Sequence, residues 1–126
     1  MMGYNTEYRY TKEHEWVHVE GNRARIGVTE HAQSELGDVV FVELPAVGAE
    51  VTQGGLLGTV ESVKAVSDVY APVSGKVIET NTELESTPEL INQEPHGAGW
   101  IAVIELSKPE EIKGLLDAAG YEASLG

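Results

Sequence analysis

Residues 58–77 read GTVESVKAVSDVYAPVSGKV. Apolar, strand-forming segments run on both sides of Lys64, with Leu56 to Val60 before it and Val66 to Tyr70 after it. Two such segments separated by a few residues form a hairpin, and Lys64 falls near its tip. An amine there is exposed and sterically free, which suits enzymatic acylation. A solvated turn lysine satisfies the same local pattern.

Working outward, the chain is a series of short strands. Residues 15–28 (EWVHVEGNRARIGV) form a hairpin about Gly21-Asn22, with Trp16, Val17 and Val19 before the turn and Ala24, Ile26 and Val28 after it. Thr29 offers an N-cap for a short helix near 29–36, stopped by Gly37. Asp38 to Leu44 (DVVFVEL) is rich in β-branched residues and ends at Pro45. Lys76 to Glu79 and Trp100 to Leu106 complete the strands, and Ser74-Gly75 reads as a tight turn. Leu84 to Gly99 holds Pro88, Pro95, Gly97 and Gly99 and reads as a loop. Pro109 opens a C-terminal helix near 109–119, with Ile112, Leu115 and Leu116 on one face and Gly120 at its end. The expected class is all-β with small helices: a flattened sandwich or barrel.

Composition narrows the function. With 126 residues the chain suits one domain, residues 1–126. Eight basic side chains against 21 acidic ones leave a formal net charge of −13. Such a surface repels phosphate backbones and anionic bilayers, so neither nucleic acid nor membrane is an expected partner. Cysteine is absent, which removes disulfides, thiolate metal sites and a cysteine nucleophile. Any sulfur redox chemistry must come on an attached group. The N-terminus lacks the marks of a signal or transit peptide, so a cytoplasmic chain or an already processed organelle protein is expected.

Candidate catalytic sets are thin. No Gly-x-Ser-x-Gly elbow occurs. His14, His18, His31 and His96 are scattered, and His14 and His18 merely share a face if their segment is a strand, so no metal site is expected. Carboxylates are too abundant for any one pair to stand out. Trp16 and Trp100 read as core aromatics. Lysine is the informative scarcity, with five in the chain: Lys12, Lys64, Lys76, Lys108 and Lys113.

The stretch ESVKAVSDVYAPVSGKV, Glu61 to Val77, resembles the lipoyl-lysine site of the glycine cleavage H-protein family. Glu61 lies three residues before Lys64, Gly75 eleven after and Gly48 sixteen before, a spacing similar to that of lipoyl-type carriers. YTKEHEW (Tyr10 to Trp16), IGVTEHAQSELGDVVFVELPAVG (Ile26 to Gly48) and PELINQEPHGAGW (Pro88 to Trp100) resemble family segments in the same order. The resemblance spans Tyr8 to Leu116. Some members carry other residues at Glu13 and Glu35.

The resemblance implies a lipoyl/biotinyl-carrier-like barrel-sandwich hybrid. Its lipoyl hairpin core would span about 38–80, with the N-terminal hairpin and the C-terminal helical extension packed on it. It implies lipoate in amide linkage to Lys64 and a carrier that catalyses no step itself. The aminomethyl group would pass from the P protein, a glycine decarboxylase, to the T protein, an aminomethyltransferase, and electrons to the L protein, a dihydrolipoyl dehydrogenase. A lipoylating enzyme would read Glu61 and Gly75; as plain structure these are a solvated carboxylate and a turn glycine. Glu13, Glu15, Glu35 and Asp68 would border a cleft sheltering the loaded arm, with Glu15 holding its amine. A solvated strand residue at Glu15, and a hairpin-fixing role for Asp68, are the plainer alternatives.

A lipoate relay protein needs the same lysine hairpin and stays open. Val63-Lys64-Ala65 lacks the Met-Lys-Met pattern of a biotin carrier. A free lipoyl domain of a 2-oxo acid dehydrogenase is disfavoured by the extensions around the hairpin core. From another class, an unmodified acidic binding module needs no attached group at all.

Overall fold

Strand pairing in the computed structural model, which describes residues 4–125, follows the alternation of apolar side chains. Nine strands form two antiparallel sheets. The larger has the order β1 (Arg9–Tyr10), β2 (Glu15–Glu20), β3 (Arg23–Val28), β9 (Ala102–Leu106), β8 (Gly75–Thr80) and β5 (Glu50–Val51). The smaller is β4 (Val39–Glu43), β6 (Leu56–Ser62) and β7 (Val66–Tyr70). Val17, Ala24, Ile26, Val77 and Ile104 of the larger sheet meet Val42, Leu57, Val60 and Val69 of the smaller in one buried cluster. This is the expected sandwich, open at its edges. The N-terminal hairpin is built into the larger sheet, because β3 pairs with β9 over Arg23–Ile26.

Each sheet turns a different surface outward. Across five strands of the larger sheet, Glu20, Arg23, Glu105, Lys76 and Glu50 stand directly opposite one another in register. Signs alternate along that row, and opposite charges facing across strands contribute roughly 0.2–1 kcal/mol each. On the smaller sheet the facing rows are Phe41–Glu61–Val66 and Glu43–Thr59–Asp68.

The helix at Glu30–Leu36 (α1) forms as its capping residues require. Thr29 Oγ1 accepts from the Ala32 amide at 3.2 Å, and Gly37 ends the helix at φ 76°. Two short helices, α2 (Glu83–Ser86) and α3 (Leu90–Gln93), occupy the stretch expected to be a loop. Leu84 and Ile91 are fully buried beneath them. Asn81 donates from Nδ2 to the Ala98 and Trp100 carbonyls, which anchors both ends of that excursion.

The C-terminal helix expected near 109–119 does not form as one element. Pro109–Gly114 is a 3-10 helix, and Leu115 is extended. Leu116 forms a β-bridge to Tyr10, its amide and carbonyl both bonded to Tyr10 backbone at 2.9 and 2.8 Å. Those bonds take the backbone groups that a continuous helix would use. A new helix, α4 (Ala118–Leu125), then starts beyond Asp117, whose Oδ1 accepts from the Gly120 amide at 2.7 Å. Gly120 therefore lies inside a helix and does not end one. Tyr121 of α4 packs with Tyr10, Trp16 and Ala118 in a second buried cluster, against which half-buried Trp100 also rests.

Gly75 also departs from expectation. It is a buried strand residue, opposite Leu106 of β9 and Val51 of β5. A Cβ there would overlap the Glu105 carbonyl oxygen and come within 2.7 Å of Ile104 Cγ2. Space and a φ of 158° within the strand, rather than a turn, both demand glycine. Gly75→Ala should cost on the order of 3 kcal/mol, the upper range for overpacking a strand interface. Gly75→Asn should melt no higher than Gly75→Val. A denaturant series on the three variants checks both, and an Asn variant clearly more stable than the Val variant would restore the turn reading.

Candidate functional site

The β6–β7 hairpin is closed by Ser62 to Ala65. The Ser62 amide donates to the Ala65 carbonyl at 2.7 Å. Ser62 Oγ, on a buried side chain, accepts from the Lys64 and Ala65 amides at 3.3 and 3.1 Å. The Val63 amide donates to the Asp38 carbonyl at 3.0 Å, tying the tip to the connector between α1 and β4. Asn92 of α3 holds that connector from the other side: Nδ2 donates to the Gly37 carbonyl at 2.8 Å, and Oδ1 accepts from the Val39 amide at 2.8 Å. Lys64 is exposed on this fixed tip. Its stem runs past Gly37, where a Cβ would sit 3.4 Å from Lys64 Cε.

Beside the hairpin lies a cavity of about 320 Å³. Glu13, His14 and Glu15 form one wall, Ala32, Glu35 and Leu36 of α1 another, and β7 from Val66 to Val69 a third. Thus Glu13, Glu15, Glu35 and Asp68, scattered in sequence, come together around one space. Glu13, Glu35 and Asp68 are exposed.

Glu15 is 2% exposed, so the solvated-strand alternative does not hold. Its Oε1 accepts from the Thr11 hydroxyl at 2.6 Å and its Oε2 from the Tyr70 amide at 3.1 Å. Burial raises its pKa above the ordinary carboxylate value, and the two hydrogen bonds oppose that rise. Asp68 Oδ2 accepts a 3.4 Å bond from the Tyr70 hydroxyl. Asp68 thus touches its own strand neighbour and lines the cavity as well.

Glu61 is exposed on the outer face of the smaller sheet, between Phe41 and Val66. Those neighbours are 55% and 66% exposed, respectively. Gly75 belongs to the other sheet, so Glu61 and Gly75 stand on different sheets. Gly75 lines a separate groove of about 430 Å³ with Lys76 and Lys108.

Several site residues escaped the sequence reading. Ser62, Gly37 and Asn92 hold the lysine tip, and only Gly37 carried a signal, as a helix stop. His14 is the one described non-glycine residue with positive φ, at 71°. It closes the turn between β1 and β2, and such strain is commonly kept at functional positions. His14 and His18 do not share a strand, because β2 begins at Glu15. Among the described residues, no group of three or more metal-ligating side chains occurs.

The description of glycine cleavage H-proteins as a family matches residues 8–126. A glycine cleavage system H protein of Symbiobacterium thermophilum is 62% identical over 117 residues, covering 93% of this chain and 91% of the relative. One from Brevibacillus brevis is 57% identical over 122 residues, covering 97% of each. The crystal structure of a glycine cleavage system H protein from Mycobacterium marinum superposes with a TM-score of 0.90 at 38% identity, covering 98% of this chain and 99% of that one. Identity this high over nearly full length, together with the shared sandwich, means that the chain belongs to the glycine cleavage H-protein family.

Proposed function

We propose that Lys64 is the attachment point for lipoate and that the neighbouring cavity shelters the arm's cargo. Family membership makes the chain a carrier of the glycine cleavage system. One observation supports the finer reading: a fixed, exposed lysine stands beside a cavity with one buried carboxylate in its wall. The group fits the residues present. Gly37 leaves room along the lysine stem, and Val28, Leu36, Val60 and Val69 give the cavity apolar lining for a hydrocarbon arm. Amide-linked lipoate supplies a disulfide able to take up an aminomethyl group and two electrons.

The chain's own residues do the rest. Ser62 and the Asp38 carbonyl hold the tip still, so that motion is confined to the arm. Glu15 presents a carboxylate out of bulk water, where an ammonium group would meet it at short range. Burial alone disfavours that charge; an arriving cation restores it. The cavity walls exclude water from the cargo. P, T and L proteins and a lipoylating enzyme are the partners of this reading, and Glu61 is the residue proposed to orient the last. Gly75 enters it only through the structure it makes possible. The reading places the carrier in the cytoplasm.

Lys64→Arg should retain the fold, changing stability by no more than about 0.5 kcal/mol. It should abolish both lipoylation and glycine cleavage, as read by intact mass and by a reconstituted assay. Lipoate found on Lys76 or Lys108 instead would sink the assignment. Glu61→Ala should lower lipoate incorporation sharply while the melting temperature holds; normal incorporation would return Glu61 to a solvated carboxylate.

Glu15→Gln separates the charge from its shape. Because the folded carboxyl pKa is raised, Glu15 costs the fold stability as pH climbs above its unfolded value of 4.5. The variant should therefore gain on the parent between pH 4 and pH 7, as followed by thermal melts. It should also release formaldehyde faster from the loaded arm, and unchanged release would remove Glu15 from the site.

A further inference from the structure

Tyr121 lies 107 residues from His14 and 92 from Thr29, yet its hydroxyl touches both. The oxygen is 2.7 Å from His14 Nδ1 and 2.7 Å from Thr29 Oγ1. His14 belongs to one wall of the cavity beside Lys64. Thr29 is the N-cap of α1, which forms another. The ring of Tyr121 is fully buried and stacks on Tyr10, with centroids 4.9 Å apart and planes 13° from parallel. A side chain of the C-terminal helix therefore ties two cavity walls through one oxygen atom.

The protons in this chain of bonds can be assigned. Thr29 Oγ1 already accepts from the Ala32 amide. Its own hydroxyl proton is used if it donates to Tyr121. The tyrosine proton then goes to His14 Nδ1, which must be an unprotonated acceptor. In the reverse direction His14 Nδ1–H donates to Tyr121, Tyr121 donates to Thr29, and the Thr29 proton turns toward Tyr4. A phenol is a stronger donor than an alcohol, and an imidazole nitrogen a stronger acceptor than an alcohol oxygen, so the first direction, in which Tyr121 donates to His14, prevails. It places the proton of neutral His14 on Nε2.

We propose that Tyr121 is a positioning residue of the cargo cleft: its hydroxyl clamps the His14 wall to α1 and fixes His14 as the neutral Nε2–H tautomer. This rests on the reading that the cleft shelters the arm. With the walls held, water reaches the cargo methylene slowly. The loss that the clamp opposes is a hydrolysis. One water oxygen becomes the oxygen of formaldehyde, the C–N and C–S bonds break, and the products are ammonium and a free thiol. No oxidant or reductant takes part.

The groups that face His14 are His31 and Glu35 of α1, Glu13 and Glu15 of its own turn and strand, and Tyr121 of α4. The His14 and His31 rings are 4.6 Å apart. Burial and His31 lower the His14 pKa, while Glu13 and Glu35 raise it. A hydroxyl donating to Nδ1 favours the neutral ring further, so its removal should move the pKa upward.

The first measurement needs no arm. Nitrogen-15 NMR of the unlipoylated full chain should show His14 with an unprotonated Nδ1 and a protonated Nε2. In Tyr121→Phe, which keeps the stacked ring, that tautomer should lose its dominance and the His14 pKa should rise. Thr29→Ser keeps the hydroxyl and should match the parent. A parent protein with its proton on Nδ1, or identical tautomers and pKa values in parent and Tyr121→Phe, would overturn the clamp.

The second measurement follows formaldehyde release from the loaded carrier. Tyr121→Phe should release at least threefold faster than the parent. Thr29→Val frees only α1, so it should speed release while leaving the His14 tautomer as it was. Equal release from parent and Tyr121→Phe would overturn the retention role. If the parent releases no more slowly than aminomethylated free lipoamide, sheltering itself fails and retention falls with it, while the tautomer result still decides the clamp.

Discussion

The bond from the Val63 amide to the Asp38 carbonyl is the constraint on which the site depends. A hairpin tip ordinarily moves more than the strands beneath it. Here the tip is pinned to the segment that ends α1 and begins β4, and Asn92 pins that segment in turn. Lysine, helix and cavity wall therefore share one frame. The Ser62 hydroxyl satisfies the turn amides from within, so the lysine side chain is left free of any structural duty.

What could be read from sequence is what neighbours in sequence decide. Val66 to Tyr70 alternates about a turn, Gly21-Asn22 joins two such runs, and Thr29 caps the helix that follows it. The lysine and the order of segments around it were legible for the same reason. Effects of distant residues were not. Leu116 is helical by pattern and becomes a β-bridge because Tyr10 offers both of its backbone groups. Gly75 looks like a turn residue until β9 lies across it. Glu15 sits in a strand whose alternation says little about exposure, and Thr11 and the Tyr70 amide settle its burial. Tyr121 carried no local signal at all.

In the proposed role, the cavity combines two demands that oppose each other. Excluding water raises the cost of every charge in the wall, and holding an ammonium group needs such a charge. One buried carboxylate, kept by two hydrogen bonds, would meet both, while Glu13, Glu35 and Asp68 stand at the rim in solvent. A cavity walled by several buried carboxylates would bind cations more strongly but would resist folding at neutral pH.

The alternating row from Glu20 to Glu50 has an effect at longer range. Its three negative and two positive charges nearly cancel on the outer face of the larger sheet. Around the lysine hairpin, Glu13, Glu15, Glu35, Asp38, Glu43, Glu61 and Asp68 gather with far less compensation. The surface around the hairpin is therefore more negative than that sheet face. A positively charged surface would be drawn to the hairpin side more strongly than to that sheet face. Such an attraction would favour encounters through the lysine side before the surfaces touch, and it would weaken as salt shortens the distance over which the field acts.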